Sequence, residues 1–316
     1  MMKKIIFLVL FAGCVSAHSQ DELWIKEKVR TYKTINSSQD LFEHIKSDFK
    51  TDLTRVKAVY CWITLHMKYR ITTSSFVFEP EQIVYFNQED LDRKLIAKND
   101  RLVEKAIKDR GGVCEHIALT LKKLCDYFEI ENELIKGYVR NTPEEIGIRP
   151  KFKNHIWNAV KFNGKWMLID ATYGIDYDAY LDRAECDFSY FDIQSAQMRL
   201  THYPSEPKWI NFLEQSNINK FSALPMFWDG FIKAKAELVT PSDGKLSNHK
   251  RKKFITFKNL NENLKITYKF DDENFAKEPR VKRSGAYTNV IINTTKEGIL
   301  TLYFNNKSAL AFKVED

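Results

Sequence analysis

The stretch RGGVCEHIALTLKKLC, residues 110–125, places a thiol where it could act as a nucleophile. Two glycines lead into Cys114 and leucines at helical spacing follow it, which predicts a helix that begins at the cysteine, behind a flexible glycine hinge. The unpaired N–H groups and the positive dipole end of a helix start favour a thiolate over a thiol. Cys114 is therefore a candidate nucleophile. The alternative is a small buried hydrophobic residue, since a lone cysteine needs a histidine partner to be catalytic.

A histidine partner is predicted on a β-hairpin further along the chain. Asn163-Gly164 is a strong two-residue turn signal between two runs rich in strand formers. With this turn, His155 faces Thr172 and Trp157 faces Asp170, so His155 and Asp170 are diagonal neighbours on one face, roughly 7 Å apart between Cα atoms. A thiolate that attacks, an imidazole that moves the proton and a carboxylate that holds the imidazole tautomer together perform acyl transfer.

Other residues of reactive types are interpreted as structural. Cys61 and Cys125 lie in apolar helical stripes, which favours a place in the core. His116 lies on the far side of the predicted helix from Cys114, so it is interpreted as a cleft wall or a surface residue. Trp157 is expected to shield the ion pair from water, and His202 to cap or brace the domain.

The elements that must position these residues differ along the chain. Residues 21–110 are predicted to be mainly helical, because their apolar residues recur at helical spacing, and strand-forming runs follow the helix of Cys114. The segment TPSDGKLSN, from about Thr240, indicates a linker, and the short alternating runs beyond it predict a small β-sandwich. We therefore expect a mixed α+β domain over residues 21–240 and an all-β domain over 241–316.

The first 20 residues have the form of a secretory signal: a basic start, an apolar run from Ile5 to Ala12 and then small residues. Cleavage after Ala17 predicts an exported protein, periplasmic or extracellular, and the alternative is a lipoprotein anchored at Cys14. The four cysteines that then remain predict no disulfide framework. They lack the paired Cys-x-x-Cys spacing of a structural zinc site, so neither a metal nor a cofactor is expected.

Charge is distributed unevenly along the chain. Residues 245–316 contain 15 Lys and Arg against 8 Asp and Glu, whereas the preceding part, without the signal, is close to neutral. We expect this basic C-terminal domain to touch an anionic envelope surface, and the simpler alternative is a well-solvated surface. No nucleic-acid-binding motif is present in the sequence.

Three blocks of the sequence together resemble the signature of the transglutaminase-like superfamily, with Cys, His and Asp in the order that family uses. The blocks are RVKAVYCWITLHMKYR, GGVCEHIALTLKKLCDYFEIENELIKGYV and NHIWNAVKFNGKWMLIDATYG. A downstream segment, YFDIQSAQMRLTHYPSEPKWINFLEQ, is similar to one in the kyphoscoliosis-peptidase and cytokinesis-protein branch of that family. The resemblance covers roughly residues 55–231 and leaves out the C-terminal β domain.

This resemblance implies a papain-like core in which a thiolate at a helix start faces a small antiparallel sheet. It also implies that Cys114 is the nucleophile, His155 the general base and acid, and Asp170 the orienting carboxylate. One departure concerns the helix: His116 and Ile117 follow Glu115 where the family often has Gly then Tyr. A side chain at position 116 could narrow the cleft and restrict the substrate.

The sequence therefore predicts an exported, thiol-dependent acyl-transfer enzyme that acts on amide bonds of peptides or proteins. It would be a cysteine peptidase or amidase if water resolves the thioester, and a transglutaminase if an amine does, with hydrolysis favoured. The alternative is a non-catalytic transglutaminase-like scaffold or binding protein of the cell envelope. A buried Cys114 without a cleft would favour that alternative.

Overall fold

The computed structural model describes residues 21–70, 83–178 and 183–316. The predicted signal peptide and the alternative lipid anchor at Cys14 lie outside these residues. Among the residues described, no helix is both long enough and apolar enough to cross a bilayer.

Helices dominate the first part of the described chain, as predicted. Residues 21–30 form α1, and it is followed by α2 (Ser38–Asp48), α3 (Asp52–His66), α4 (Gln88–Asp109) and α5 (Cys114–Tyr127).

The central helix of this group is α3. A capping box between Thr51 and Thr54 satisfies backbone N–H groups at its start, so the beginning of the helix is set locally. Every residue from Val56 to Thr64 is buried, which means that α3 is enclosed on all sides rather than amphipathic. Helix α5 and the strand β7 (Arg183–Cys186) pack against α3. Helix α5, which begins at Cys114, is therefore held in position by packing against the buried helix α3.

The two glycines before Cys114 form a strand rather than a flexible hinge. Strand β2 (Gly111–Gly112) pairs in parallel with β1 (Lys68–Tyr69). A Cβ atom added to Gly111 would lie 2.5 Å from the backbone oxygen of Lys68, and one added to Gly112 would lie 2.6 Å from Cβ of His116. Glycine is required at both positions because of this close approach, and the chain enters α5 along a fixed path.

A four-stranded sheet follows α5, with the strand order β5, β4, β3, β8. Its strands are β3 (Asn132–Val139), β4 (His155–Phe162), β5 (Lys165–Ile169) and β8 (His202–Pro204). The hairpin of β4 and β5 has the predicted register, with Phe162 opposite Lys165 and Asn158 opposite Ile169. The paired ladder ends at Asn158–Ile169, so the expected pairs of Trp157 with Asp170 and His155 with Thr172 are not part of it.

The remaining elements between the hairpin and the C-terminal sheets are short. They comprise the antiparallel pair β6 (Ile175–Asp178) and β7, the helices α6 (Ser195–Thr201), α7 (Pro207–Phe212), α8 (Ile218–Ala223) and α9 (Asp229–Ala234), and strand β9 (Met226–Phe227).

Contacts divide the described chain into two compact units. One comprises residues up to Leu134 together with Ile156–Asp192, and the other comprises Ile135–His155 together with Ile193–Asp316. The division falls within β3 and within β4, each of which is one continuous strand. The domain boundary predicted near residue 240 stays a prediction.

The C-terminal part is all-β, as predicted. One sheet has the order β10, β12, β15, β14, the other has the order β11, β17, β16, β13, and β9 also pairs with β17. The strands are β10 (Glu237–Thr240), β11 (Lys245–Ser247), β12 (Lys252–Lys258), β13 (Ile266–Phe270), β14 (Arg280–Ser284), β15 (Tyr287–Asn293), β16 (Gly298–Phe304) and β17 (Lys307–Glu315). Phe257 of the first sheet meets Phe304 of the second edge-on, with ring centroids 5.6 Å apart, and such pairs form the shared core.

Candidate active site

Cys114 is the first residue of α5, as predicted. Val113 occupies the N-cap position and provides no side-chain hydrogen bond to the first turn, so the backbone N–H groups there remain available to a ligand or a charge. The thiol is 2% exposed and packs with Ala118 of its own helix and Ile156 of β4. The start of α5 therefore combines a thiol with unpaired backbone donors.

Asp170 follows directly after β5 and is held by its own loop. Its Oδ1 accepts hydrogen bonds from the backbone N–H groups of Thr172 at 2.8 Å and Tyr173 at 3.1 Å. Its own backbone N–H donates to the oxygen of Tyr190 at 2.9 Å. Two amide donors on one oxygen stabilise a negative charge and fix the orientation of the carboxylate.

His155 is the first residue of β4, directly before the Ile156 that packs on Cys114. It is buried, and its ring lies against the ring of His202, with centroids 5.3 Å apart. The Nδ1 atom of His202 is 2.7 Å from the hydroxyl of Thr201, and Gln215 donates to the backbone oxygen of His202 at 2.8 Å. His202 is thus a fully buried and well-anchored neighbour of His155, which agrees with the predicted bracing role.

His155 and His202 are therefore two buried imidazoles that lie side by side, and imidazole is a common ligand of Zn²⁺. Asp170 is also buried and is oriented by its own loop. The pairing of the His155 imidazole with the Asp170 carboxylate stays a prediction.

Sequence reasoning missed Tyr69. This residue pairs with Gly112 in the β1–β2 ladder, two positions before Cys114. Burial raises the pKa of its hydroxyl, and the interaction with Cys114 and Asp170 raises it further. The hydroxyl is therefore electrostatically coupled to both groups. No local signal in the sequence indicates this, because the pairing joins segments more than 40 residues apart.

The other reactive residues occupy structural positions. Cys61, Cys125 and Cys186 are buried in one apolar core, and burial raises the pKa of both Cys61 and Cys125. His116 is half-buried, burial lowers its pKa, and its Nδ1 has no hydrogen-bond partner among the described residues. These placements agree with the predicted structural interpretation of Cys61 and Cys125.

A groove lined by residues of α4 and α5 does not include the thiol. It has a volume of about 300 Å³, and residues of α4 and α5, including Asp100, Leu119 and Tyr127, line it. None of Cys114, His155 and Asp170 is part of its lining.

Comparison with known proteins identifies the fold around these residues. Residues 39–171 match the model of the transglutaminase-like superfamily, and this range contains Cys114, His155 and Asp170. This part of the chain is thus similar to the transglutaminase-like superfamily. The match confirms the resemblance predicted from the three sequence blocks, and the mixed helix and sheet architecture agrees with the predicted fold class.

The chain is similar to human kyphoscoliosis peptidase, with 24% identity over 195 residues that cover 58% of this chain and 26% of that protein. It is 27% identical over 135 residues to cytokinesis protein 3 of Schizosaccharomyces pombe, which covers 42% of this chain and 15% of that protein. It thus spans about a quarter or less of the length of these two relatives. A crystal structure of a TGase aligns with a TM-score of 0.27 at 15% identity over 53% of this chain and 39% of the other.

Proposed function

We propose that this protein is an exported, thiol-dependent acyl-transfer enzyme that acts on amide bonds of peptides or proteins. Cys114 is the nucleophile, His155 the general base and acid, and Asp170 the carboxylate that orients the imidazole. The observation that carries the proposal is the thiol at the start of α5, in contact with Ile156, with His155 next to it on the same strand. The basic and apolar N-terminal segment of the sequence supports export.

The reaction follows from these roles. The Cys114 thiolate attacks the carbonyl carbon of the amide, and the tetrahedral intermediate carries the negative charge on oxygen. His155 gives a proton to the leaving nitrogen, the C–N bond breaks, and a thioester on Cys114 remains. His155 then takes a proton from the incoming water or amine, whose attack releases the acyl group and restores the thiol.

Two donors are available to the oxyanion in this scheme. The first is the backbone N–H of the uncapped first turn of α5. As the second we propose the hydroxyl of Tyr69, which is electrostatically coupled to Cys114. Donors fixed before the reaction stabilise the developing charge without reorganisation, and this is usually the largest contribution to catalysis of acyl transfer.

The acceptor determines whether the enzyme is a hydrolase or a transglutaminase. The triad is the same in both cases, because it only activates whichever nucleophile reaches the thioester. We propose hydrolysis, since water is the default acceptor outside the cell.

One observation favours the second candidate function, a non-catalytic scaffold or binding module. Cys114 is 2% exposed and His155 is 7% exposed, so neither reaches solvent freely in this structure. A scaffold needs no access to the thiol, whereas an enzyme must admit a peptide to it. Retention of all three catalytic residue types favours the enzyme, because folding alone does not require a thiol, an imidazole and a carboxylate together.

Product analysis separates these functions. The full chain and its Cys114→Ala variant are incubated with a peptide mixture, with and without a labelled primary amine, and the products are identified by mass spectrometry. Cleavage that requires Cys114 supports the hydrolase, and amine incorporation supports the transglutaminase. If neither product forms and no acyl group is found on the peptide that contains Cys114, the scaffold is the better description.

A further inference from the structure

One face of the C-terminal sheet made of β10, β12, β15 and β14 points outward and combines apolar and cationic side chains. In the ladder register, Phe254 of β12 stands opposite Ile291 of β15, and Ile291 stands opposite Arg280 of β14. Phe254 is 56% exposed although it is central in its strand, and Ile291 beside it is partly exposed. Residues 252 and 282 of the neighbouring rows are lysines that point to the same side of the pleat.

The next rows of this face, here called the β12–β14 face, are polar. The Thr256 hydroxyl donates to the side-chain oxygen of Asn289 at 2.8 Å, so these two central side chains are already hydrogen-bonded to each other. Tyr287 is exposed at the end of β15, opposite Lys258. Lys258 in turn faces Glu237 on β10, so its charge is partly balanced and we do not count it among the binding cations.

Three cations of the β12–β14 face have no carboxylate partner. Lys252, Arg280 and Lys282 are exposed, and none of them forms an ion pair within the described residues. Carboxylates of the same domain pair with other lysines instead, as in Lys265 with Glu278 at 3.3 Å and Lys277 with Glu273 at 2.7 Å. Three unpaired cations of the C-terminal domain therefore surround the apolar pair of Phe254 and Ile291 on this face.

We propose that the β12–β14 face is a docking surface for an anionic lipid bilayer. Its cations face lipid phosphates, while Phe254 and Ile291 enter the boundary between head groups and acyl chains. A polysaccharide is a poorer fit, because the Thr256–Asn289 pair is already hydrogen-bonded and the centre of the face carries no carboxylate to accept sugar hydroxyls. This inference does not depend on the acyl-transfer activity.

Vesicle binding tests the proposal with the full chain. Vesicles of phosphatidylcholine alone and of an equimolar mixture with phosphatidylglycerol are sedimented with the protein at low and high salt. We expect binding to the anionic vesicles that weakens as salt rises. The double variant Arg280→Gln/Lys282→Gln should bind roughly 30-fold more weakly, because each cation near an anionic leaflet contributes about 1 kcal/mol and about 1.4 kcal/mol corresponds to tenfold.

Matched variants test whether vesicle binding depends on the β12–β14 face itself or only on the net charge of the protein. Lys265→Gln/Lys269→Gln removes the same charge at β13 on the other sheet and should bind as the original chain does. Phe254→Ala should weaken binding without changing its salt dependence, whereas Arg280→Lys/Lys282→Arg should retain binding. Equal loss in both double variants overturns the proposal. So does equal binding to neutral vesicles, or binding to an anionic polysaccharide such as heparin without binding to vesicles.

Discussion

Tyr69 lies opposite Gly112 in a two-residue parallel ladder, and its hydroxyl is electrostatically coupled to Cys114, two residues beyond Gly112. Strand β2 of this ladder packs against α4 and α5. Because Gly112 leaves no room for a side chain, the geometry of this corner is rigid. A rigid donor beside a nucleophile is what stabilisation of an oxyanion requires.

We expect Tyr69→Phe to lower kcat/KM on a peptide substrate by about 10²- to 10³-fold, the usual cost of removing one oxyanion donor. The rate of alkylation of Cys114 by iodoacetamide should change little, since alkylation forms no oxyanion. Steady-state kinetics and peptide mapping measure the two quantities. If kcat/KM and the alkylation rate of Cys114 fall by the same factor, Tyr69 promotes the reactivity of the thiol and does not stabilise the tetrahedral intermediate.

We expect iodoacetamide at limiting dose to label Cys114 before the other described cysteines. All four described cysteines are at most 2% exposed, but Cys114 is the most exposed of them, so the order alone does not separate activation from exposure and the comparison with His155→Ala does. Activation by the helix start and His155 favours Cys114, because only the thiolate reacts. The variant His155→Ala should slow the labelling of Cys114 and leave the others unchanged. Equal labelling rates for the four cysteines would favour the non-catalytic scaffold. A labelling rate of Cys114 that is unchanged in His155→Ala would favour it as well.

We expect Asp170→Asn to fold normally and to lose most activity. The amide oxygen can still accept from the N–H groups of Thr172 and Tyr173, so the loop is retained. The uncharged side chain favours the wrong imidazole tautomer, and a comparable change in a serine-protease triad lowers kcat by about 10⁴-fold. Near-normal kcat in a variant with an unchanged unfolding midpoint would show that another group orients His155.

We expect Gly112→Ala to destabilise the protein by about 1–3 kcal/mol, because the added methyl would lie 2.6 Å from Cβ of His116 and the chain must shift. Urea unfolding followed by circular dichroism measures the loss. The double variant Gly112→Ala/His116→Gly removes the clashing atom, and its stability should exceed the value expected if the two single effects simply added. If the stability effects of the two single substitutions simply add, the strain does not arise from the contact between residues 112 and 116.

Protonation of His116 should destabilise the fold. Burial lowers the pKa of His116 below its ordinary value near 6.5, so the unfolded chain binds the proton more tightly. Its neutral form is compatible with the fold above about pH 6.5, and stability falls as pH decreases below that value. In His116→Gln, urea midpoints measured from about pH 8 to pH 5 should decline less steeply. The pH dependence of the urea midpoint that remains in His116→Gln includes a contribution from His66, whose pKa is also lowered by burial.

Several features could be predicted because their causes are local. The helix start at Cys114, the Asn163-Gly164 turn and the register of its hairpin follow from periodicity and turn chemistry. The neighbourhood of His155 and Asp170 that this register predicts stays a prediction, because the ladder ends before either residue. The glycines before Cys114 were interpreted wrongly as a hinge, since their partner strand β1 is distant in sequence and close approach leaves no local signal.

The sequence by itself indicated the similarity to the transglutaminase-like superfamily, the α+β order of elements and the three candidate catalytic residues, because spacing and residue type carry that information. Only the tertiary structure decided what surrounds them: Tyr69 coupled to the thiol, His202 against His155, and the near-complete burial of Cys114. It also decided which cations of the basic domain are left unpaired on one face. These relationships depend on contacts between distant segments, whose pairing is set by packing of the whole core rather than by any local pattern.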